Sequence, residues 1–419
     1  MLNGQNSSGM RRENRGLVLR LLHLHGPLSR RDLGKLTGLM PSTITYITGE
    51  LLEVGLIRDL GPSPAPRPNG GPGRRMLLLE LVPDSAYVIG VHIGIRSINI
   101  GIVDLTGVIR AGTRVNTEGA DTAAQIGGCL AAATRQLVAE ANVDWNRLLG
   151  VGLGIVGWID ADAGTIIEAP QRGWRDIPLA AWLKQALDLP IYLDNNVRAM
   201  ASAEQWFGHG KGGQDFILVT VGTVIGAGIV VGGELLRGHA SRAGQIGHLQ
   251  VAVDGPICAC GRRGCLDAVA SDNAIERRAR KLVAADPTST LATHVRDATS
   301  HLADRGVFAA AAAGDEQARE IVTEAATYLG RALAPIVAVF DPERIVVVGA
   351  ITELGEIFFD PLKRALIDTL GGGGLHEIAI VPPLIAPTKS ADTMPIVGAA
   401  SLALRSYFAD PDFRLLRDR

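Results

Sequence analysis

The chain has 419 residues, 47% of them hydrophobic but only 4% aromatic, and a formal net charge of −2. That length exceeds one ordinary core and predicts two or three domains. No apolar run reaches the length of a membrane span and the opening MLNGQNSSGMRREN lacks an apolar secretory stretch, so neither a membrane role nor a disulfide framework is expected, and a reducing cytoplasm fits.

The first 80 residues carry eleven Lys and Arg against six Asp and Glu, leaving the remainder acidic. A basic head on an acidic body predicts a polyanionic partner for the head. Leu17, Val18, Leu21, Leu22 and Leu24 form the apolar stripe of a first helix, which Gly26-Pro27 ends. Ser29 caps a second helix, with Asp32 completing a capping box and Leu33 and Leu36 facing inward. A turn through Gly38 leads to Pro41-Ser42 and a third helix. Its Ile44, Ile47 and Leu51 face the core, leaving Ser42, Thr43, Thr45, Tyr46 and Gly49 outward until Gly55 closes it.

Two helices joined by a short glycine-containing turn form a helix-turn-helix, whose second helix enters the major groove. Hydroxyls at Ser42, Thr43, Thr45 and Tyr46 suit phosphates and base edges. Residues 56–60 and 76–81 read as a strand pair. The Pro/Gly-rich segment between them (wing and hinge, 61–75) is a wing, and Arg58, Arg74 and Arg75 join the expected double-stranded DNA contacts.

From Tyr87 onward the pattern is α/β. VIGVHIGIRSINIGIVD reads as two adjacent strands, LLGVGLGIVGWID as another, and IYLDNN as a strand feeding the helix VRAMASAEQWFG. FILVTVGTVIGAGIVVGGEL is a strand, a glycine-rich turn and a second strand, and RIVVVGA is a late parallel strand. The recurrence of strand pairs and then helices predicts a duplicated fold with a cleft between two lobes. No G-x-G-x-x-G lies between a first strand and a helix, which excludes a dinucleotide-binding reading.

His248 with Cys258, Cys260 and Cys265 supplies one imidazole and three thiolates, the four ligands of a closed structural Zn²⁺ site. With no open position, the metal is expected to fix a loop rather than activate water.

The stretch AGQIGH…GPICACGRRGCLDAVAS resembles the A-G-E-I-G-H and G-x-x-C-x-C-G-x-x-G-C-L-E signatures of the ROK family, which groups sugar-responsive repressors with sugar kinases. GIVGWIDADAGTIIEAPQRGW and DNNVRAMASAE resemble neighbouring family segments, and the head joined to RRMLLLELVPDSAYVIGVHIG resembles the repressor branch. The resemblance implies a winged helix-turn-helix (1–82) followed by a two-lobed, actin/hexokinase-like α/β fold. The first lobe spans 83–193, completed by a C-terminal helix at about 394–419. The second spans 194–393.

Departures from the family pattern bear on chemistry. The kinases' general-base Asp, in an E-N-D-A-N segment, aligns with Asn196, and an amide takes no proton near neutral pH. The first phosphate motif, D-x-G-G-T, becomes His92-Ile93-Gly94-Ile95-Arg96; the second, G-T-G-x-G-A-G, becomes Gly222-Thr223-Val224-Ile225-Gly226-Ala227-Gly228. No catalytic residue and no kinase activity are expected, because phosphoryl transfer rests on positioning and electrostatics.

Sugar ligands implied by the resemblance fall at Gln171, Asn195, Asn196, Gln245, His248 and Asp267. His248 would place one ring nitrogen on zinc and the other toward the sugar. The expected protein is a homodimeric or homotetrameric sugar-responsive DNA-binding regulator. Its rivals are a zinc-containing ROK sugar kinase and a repressor controlled by a protein partner.

Overall fold

The computed structural model describes residues 7–62, 76–94, 97–119, 122–213, 215–296, 303–371, 378–385 and 393–411. The chain divides into two compact units, Met1–Phe207 with Ile385–Arg419, and Gly208–Leu384. Among the described residues, no helix is long and apolar enough to cross a membrane.

The first unit opens with α1 (Ser7–His25), β1 (Leu28–Ser29), α2 (Arg30–Thr37) and α3 (Pro41–Glu53), then β2 (Ile57–Pro62) and β3 (Leu77–Leu81). Ser29 caps α2 as its sequence predicts: its Oγ accepts from Asp32 N at 3.1 Å, while Asp32 Oδ2 accepts from Ser29 N at 3.4 Å. Gly38 takes the left-handed conformation (φ 71°) that turns the chain into α3. Ile44, Ile47 and Leu51 of α3 are buried with Leu33 of α2 and with Val18, Leu19 and Leu22 of α1. Leu36, expected to face inward, is 51% exposed. Strands β1, β3 and β2 form a three-stranded sheet in that order. Arg15 of α1 grips Glu50 of α3 with two hydrogen bonds, Nε to Oε2 at 2.8 Å and Nη2 to Oε1 at 2.6 Å. Arg67, Arg74 and Arg75 lie outside the described residues.

The chain continues through β4 (Tyr87–Ile93), β5 (Ser97–Asp104), β6 (Ile109–Asn116), α4 (Ala123–Glu140), β7 (Leu148–Ile155), β8 (Trp158–Asp160), β9 (Thr165–Ala169), β10 (Trp174–Ile177), α5 (Leu179–Leu187), β11 (Ile191–Asn195) and α6 (Asn196–Phe207). The main sheet runs β11-β7-β4-β5-β6. Strands β5 and β7 are buried at every residue, as continuous apolar strands covered on both faces are. β6, at the edge, instead alternates half-buried and exposed residues. The final helix, α13 (Thr393–Ala409), covers one face of this sheet. It approaches so closely that a Cβ on Gly152 would sit 1.8 Å from Ala399 O.

The second unit holds β12 (Phe216–Val221), β13 (Ile225–Val231), β14 (Glu234–Leu235), α7 (Leu266–Ala270), α8 (Asp272–Ala285), α9 (Thr290–Arg296), α10 (Ala303–Ala313), α11 (Glu316–Phe340), β15 (Arg344–Val348), α12 (Glu356–Leu370) and β16 (Ala379–Val381). Its sheet runs β14-β13-β12-β15-β16. In both sheets an antiparallel pair leads, and two later strands add in parallel on the other side of the leading strand. The duplication inferred from the strand pattern is thus present in the topology.

One boundary differs from expectation. The second lobe was placed from residue 194, but the compact division falls after Phe207. β11 pairs in parallel with β7, and α6 packs on α13, so both stay with the first unit.

The junction between β11 and α6 is locked by charge. Arg198 Nε donates to Asp194 Oδ1 at 2.6 Å, with both side chains at most 4% exposed. Removing one partner of such a pair leaves the other charge buried and costs about 3–5 kcal/mol. Arg198→Met is therefore expected to lower unfolding stability in urea by about 3 kcal/mol. A loss under about 1 kcal/mol would be the behaviour of a solvated surface pair instead.

Candidate functional site

The densest chemistry in the second unit follows β14. A short 3₁₀ turn, Ile246–His248, presents the imidazole, and the chain then folds back on itself before α7. Cys258 N donates to Arg262 O at 2.8 Å, Gly261 N to Cys258 O at 2.9 Å and Leu266 N to Leu249 O at 2.8 Å, closing a compact knuckle. The four donor atoms of His248, Cys258, Cys260 and Cys265 all lie within 4.8 Å of one another. Cys258 Sγ is 3.7 Å from His248 Nδ1, and Cys260 Sγ is 3.7 Å from Cys265 Sγ. Two sulfurs bonded at about 2.3 Å to one tetrahedral ion stand about 3.8 Å apart, so the donor set fits such an ion.

The thiols sit in unlike environments. The Arg262 backbone N–H, and then its side chain, bring Cys260 down to about 7, whereas burial pushes Cys265 up to about 12. A buried thiol of that kind becomes a ligand only when a cation replaces its proton. Nδ1 of His248 is the nitrogen facing the sulfurs, which assigns Nε2 to whatever lies on the other side of the ring.

Asp267, in the first turn of α7, ties this knuckle to the glycine-rich turn between β12 and β13. Its Oδ1 accepts from Ile225 N at 2.6 Å, and its Oδ2 lies 3.9 Å from His248 Nδ1. Burial raises its pKa, opposed by the Ile225 N–H and the nearby imidazole. The turn is occupied elsewhere too: Gly222 O accepts from Asp272 N at 2.9 Å, and Thr223 O from Asn273 Nδ2 at 3.2 Å. Gln245, one residue before the 3₁₀ turn, is exposed.

In the first unit, Asn195 and Asn196 stand at the junction of β11 and α6, both half-buried. The Asn195 amide is already engaged: Nδ2 donates to Gly157 O and Oδ1 accepts from Val197 N, each at 2.9 Å. Gln171 is exposed on the 3₁₀ turn Pro170–Arg172. Its neighbour Arg172 was not anticipated. Arg172 Nε donates to Gly94 O at 3.1 Å, its Nη2 also reaches that carbonyl, and its guanidinium stacks 5.0 Å from the Trp174 ring centre. An arginine therefore holds the carbonyl of the eroded first phosphate motif; Ile95 and Arg96 lie outside the described residues. The signal was a cation directly after Gln171 in APQRGW, but its partner is 78 residues away.

On the head, Ser42 and Thr45 are exposed, Thr43 is half-buried, and Thr45 Oγ1 donates back to Pro41 O at 2.9 Å. Tyr46 is 50% exposed, and its hydroxyl accepts from Arg11 Nη1 at 3.3 Å while the guanidinium lies 5.1 Å from the ring centre. An open groove of about 570 Å³ runs beside it, lined by Arg11, Asn14, Ser42, Thr43 and Tyr46 among others. Arg58, an expected DNA contact, is exposed and bonds Glu80 on the neighbouring strand at 2.6 Å.

Two substitutions separate chelation from loop geometry. Cys260→Ser is expected to reduce bound metal, read by elemental analysis, from one ion per chain to near none. Gly264→Ala should do the same by another route: φ is +68°, and an added Cβ would sit 1.5 Å from Ala252 O. At Gly261 (φ +84°) a Cβ meets nothing within 4 Å, so Gly261→Ala costs only about 1–2 kcal/mol and keeps its metal. Equal metal retention in the Gly264 and Gly261 variants would contradict this geometry.

Comparison with known proteins follows the same lines. Residues 88–406 match the ROK family. The chain is 28% identical to the xylose repressor of Caldicellulosiruptor bescii over 408 residues, covering 97% of this chain and 99% of that one. A solved ROK family transcriptional regulator, a homologue of the E. coli MLC protein, superposes with a TM-score of 0.81 at 26% identity, over 97% of this chain and 99% of that one. A ROK glucokinase from Streptomyces griseus, solved with glucose and AMPPNP, aligns with a TM-score of 0.66 at 32% identity, over 76% of this chain and the whole of that one. The 88–406 match, spanning three-quarters of the chain, together with the duplicated sheets, places this protein in the ROK family, with its sugar-kinase fold.

Proposed function

We propose that this protein is a sugar-responsive transcriptional regulator, a repressor of sugar-metabolism genes, acting in the cytoplasm as a homodimer or homotetramer. Residues 1–82 serve as a winged helix-turn-helix that binds a double-stranded operator. Ser42, Thr43, Thr45 and Tyr46 read it from α3, and Arg58, Arg74 and Arg75 attract it from the hairpin. A symmetric assembly on a two-fold operator follows the usual logic of such heads. The full-length likeness to a xylose repressor and to a solved ROK regulator supports this reading.

The observation that carries the non-enzymatic part is Asn196. At the first residue of α6 it presents an amide where a kinase needs a carboxylate to deprotonate the attacking hydroxyl. Both eroded phosphate loops support it. Arg172 spends its guanidinium N–H groups on the Gly94 carbonyl, and Asp267 takes the Ile225 N–H, so these donors are committed within the protein rather than to a phosphate. Gln171, Asn195, Asn196, Gln245, His248 and Asp267 are the proposed sugar ligands. Amides and a carboxylate suit the vicinal hydroxyls of a neutral polyol. His248, Cys258, Cys260 and Cys265 hold a structural Zn²⁺, chosen over other ions because a tetrahedral three-sulfur, one-nitrogen set favours it. The ion braces the His248 ring so that Nε2 faces the sugar.

Two measurements test the reading. Incubated with ATP and D-glucose or D-xylose, the protein is expected to release no ADP above background. Turnover near the 1–100 s⁻¹ usual for kinases would overturn the assignment. On a duplex selected from a randomised pool by the full-length protein, Thr43→Ala is expected to weaken binding by about 1–3 kcal/mol at one operator position and to relax the preference there. Uniform weakening across sequences, with a shallower salt dependence, would place Thr43 on the phosphate backbone instead.

A further inference from the structure

The helix that begins at Asn196 ends against the DNA-binding head. α6 runs twelve residues from Asn196 to Phe207, about 17 Å at roughly 1.5 Å per residue. It is buried nearly all round: every residue from Val197 to Glu204 is buried, as is Trp206. On α13, a Cβ at Gly398 would lie 2.9 Å from Met200 N, so the two helices lie backbone to backbone. A helix held this way shifts as a body, because packed cores deform in discrete steps rather than bending freely.

His23 of α1 receives the far end of α6. Its ring is 8% exposed, and its Nε2 lies 2.9 Å from Trp206 O, one of the last-turn carbonyls that have no partner inside the helix. A carbonyl only accepts, so Nε2 carries the hydrogen. The imidazole centre is 5.3 Å from Trp206, 5.2 Å from Phe207 in an edge-on arrangement at 88°, and 6.0 Å from Phe408 of α13. Nearby, a Cβ at Gly16 would fall 2.1 Å from Phe408 O, so α1 lies directly on the end of α13. α1 also shares its core with α2 and α3 through Val18, Leu19, Leu22, Leu33, Ile44, Ile47 and Leu51.

We infer that His23 is the positioning residue that couples the sugar site to the DNA-reading helix, by holding α1 to the C-terminal end of α6. His23 touches neither sugar nor DNA. A sugar that contacts Asn196 more tightly in one placement of α6 than in another changes the population of those placements, and α1 and α3 follow. The inference rests on the proposed effector role of Asn196 and the proposed operator-binding role of α3.

The test uses the full-length protein, the operator selected from the randomised pool, and saturating D-xylose or D-glucose. In the wild type, sugar is expected to change operator affinity about 5–150-fold. His23→Phe, which keeps an aromatic ring but lacks Nε2–H, and His23→Ala are both expected to bind sugar and operator. Sugar should then change operator affinity less than about twofold, well under the usual range for a coupled pair of sites. Wild-type coupling in both variants overturns the inference. A second readout needs no sugar: operator binding should slow amide hydrogen exchange in residues 200–207 of the wild type and leave those amides unchanged in His23→Phe. Exchange there that ignores operator in the wild type overturns the inference as well. If neither sugar alters operator affinity, the effector reading fails, while the exchange result still decides the role of His23.

Discussion

Burial of α1 in a core that it shares with the sheet and helices of the first unit is the constraint on which the rest of this molecule depends. Val18, Leu19 and Leu22 belong to one continuous apolar cluster with Val88, Val103, Leu149, Ala400, Leu404 and Phe408. A DNA-binding head tethered by a flexible linker would gain affinity from proximity alone, and its orientation would be free. Here the head and the sheet and helices of the first unit share one packed core, so wherever α6 and α13 settle, α3 settles too. A ligand shifts such a body only by as much as it binds one of its states more tightly than another.

The metal knuckle solves a different problem. In the loop from His248 to Cys265, Leu249, Val253 and Ile257 are all exposed, so little apolar packing holds it to one shape. Four donor atoms closing on the proposed cation would supply that order through bonds rather than packing. Cys265 is fully buried, and burial pushes its thiol up to about 12, so a cation there would have to displace its proton. The benefit passes to Asp267 two residues on. Its carboxylate reaches back to Ile225 and sits near His248, so the metal loop and the former phosphate turn are set by the same short helix.

What was legible in the sequence was what is local or repetitive. The capping box at Ser29 and Asp32 closes within three residues, so its chemistry is written in adjacent letters. The duplicated sheets were legible because strand periodicity and glycine turns recur. The cluster of His248, Cys258, Cys260 and Cys265 was legible because eighteen positions hold all four. The contacts that decide orientation were not legible. His23 meets Trp206 across 183 positions and Arg172 meets Gly94 across 78, and nothing in the flanking letters of either residue names its partner. The ion pair of Arg58 was hidden for a related reason: the pleat that sets Glu80 beside it belongs to the hairpin register, Arg58 opposite Glu80. Leu36 is the converse case. Its spacing from Leu33 fits an inward stripe, yet an eight-residue helix has only a narrow buried face, and Leu33 alone fills it.

The proposed regulator shares its scaffold with a ROK glucokinase. A kinase site must keep its N–H groups and its base uncommitted until substrate arrives, and such strain and vacancy cost stability. A sensor has no such need. In the proposed sensor Asn196 offers an amide where the kinases place their base, Arg172 settles on the Gly94 carbonyl, and Asp267 takes the Ile225 N–H. Arg172 and Asp267 thus commit polar groups to the protein itself. In the proposed sensor, a sugar that binds beside Asn196 more tightly in one placement of α6 than in another would put its binding energy into that shift rather than into phosphoryl transfer.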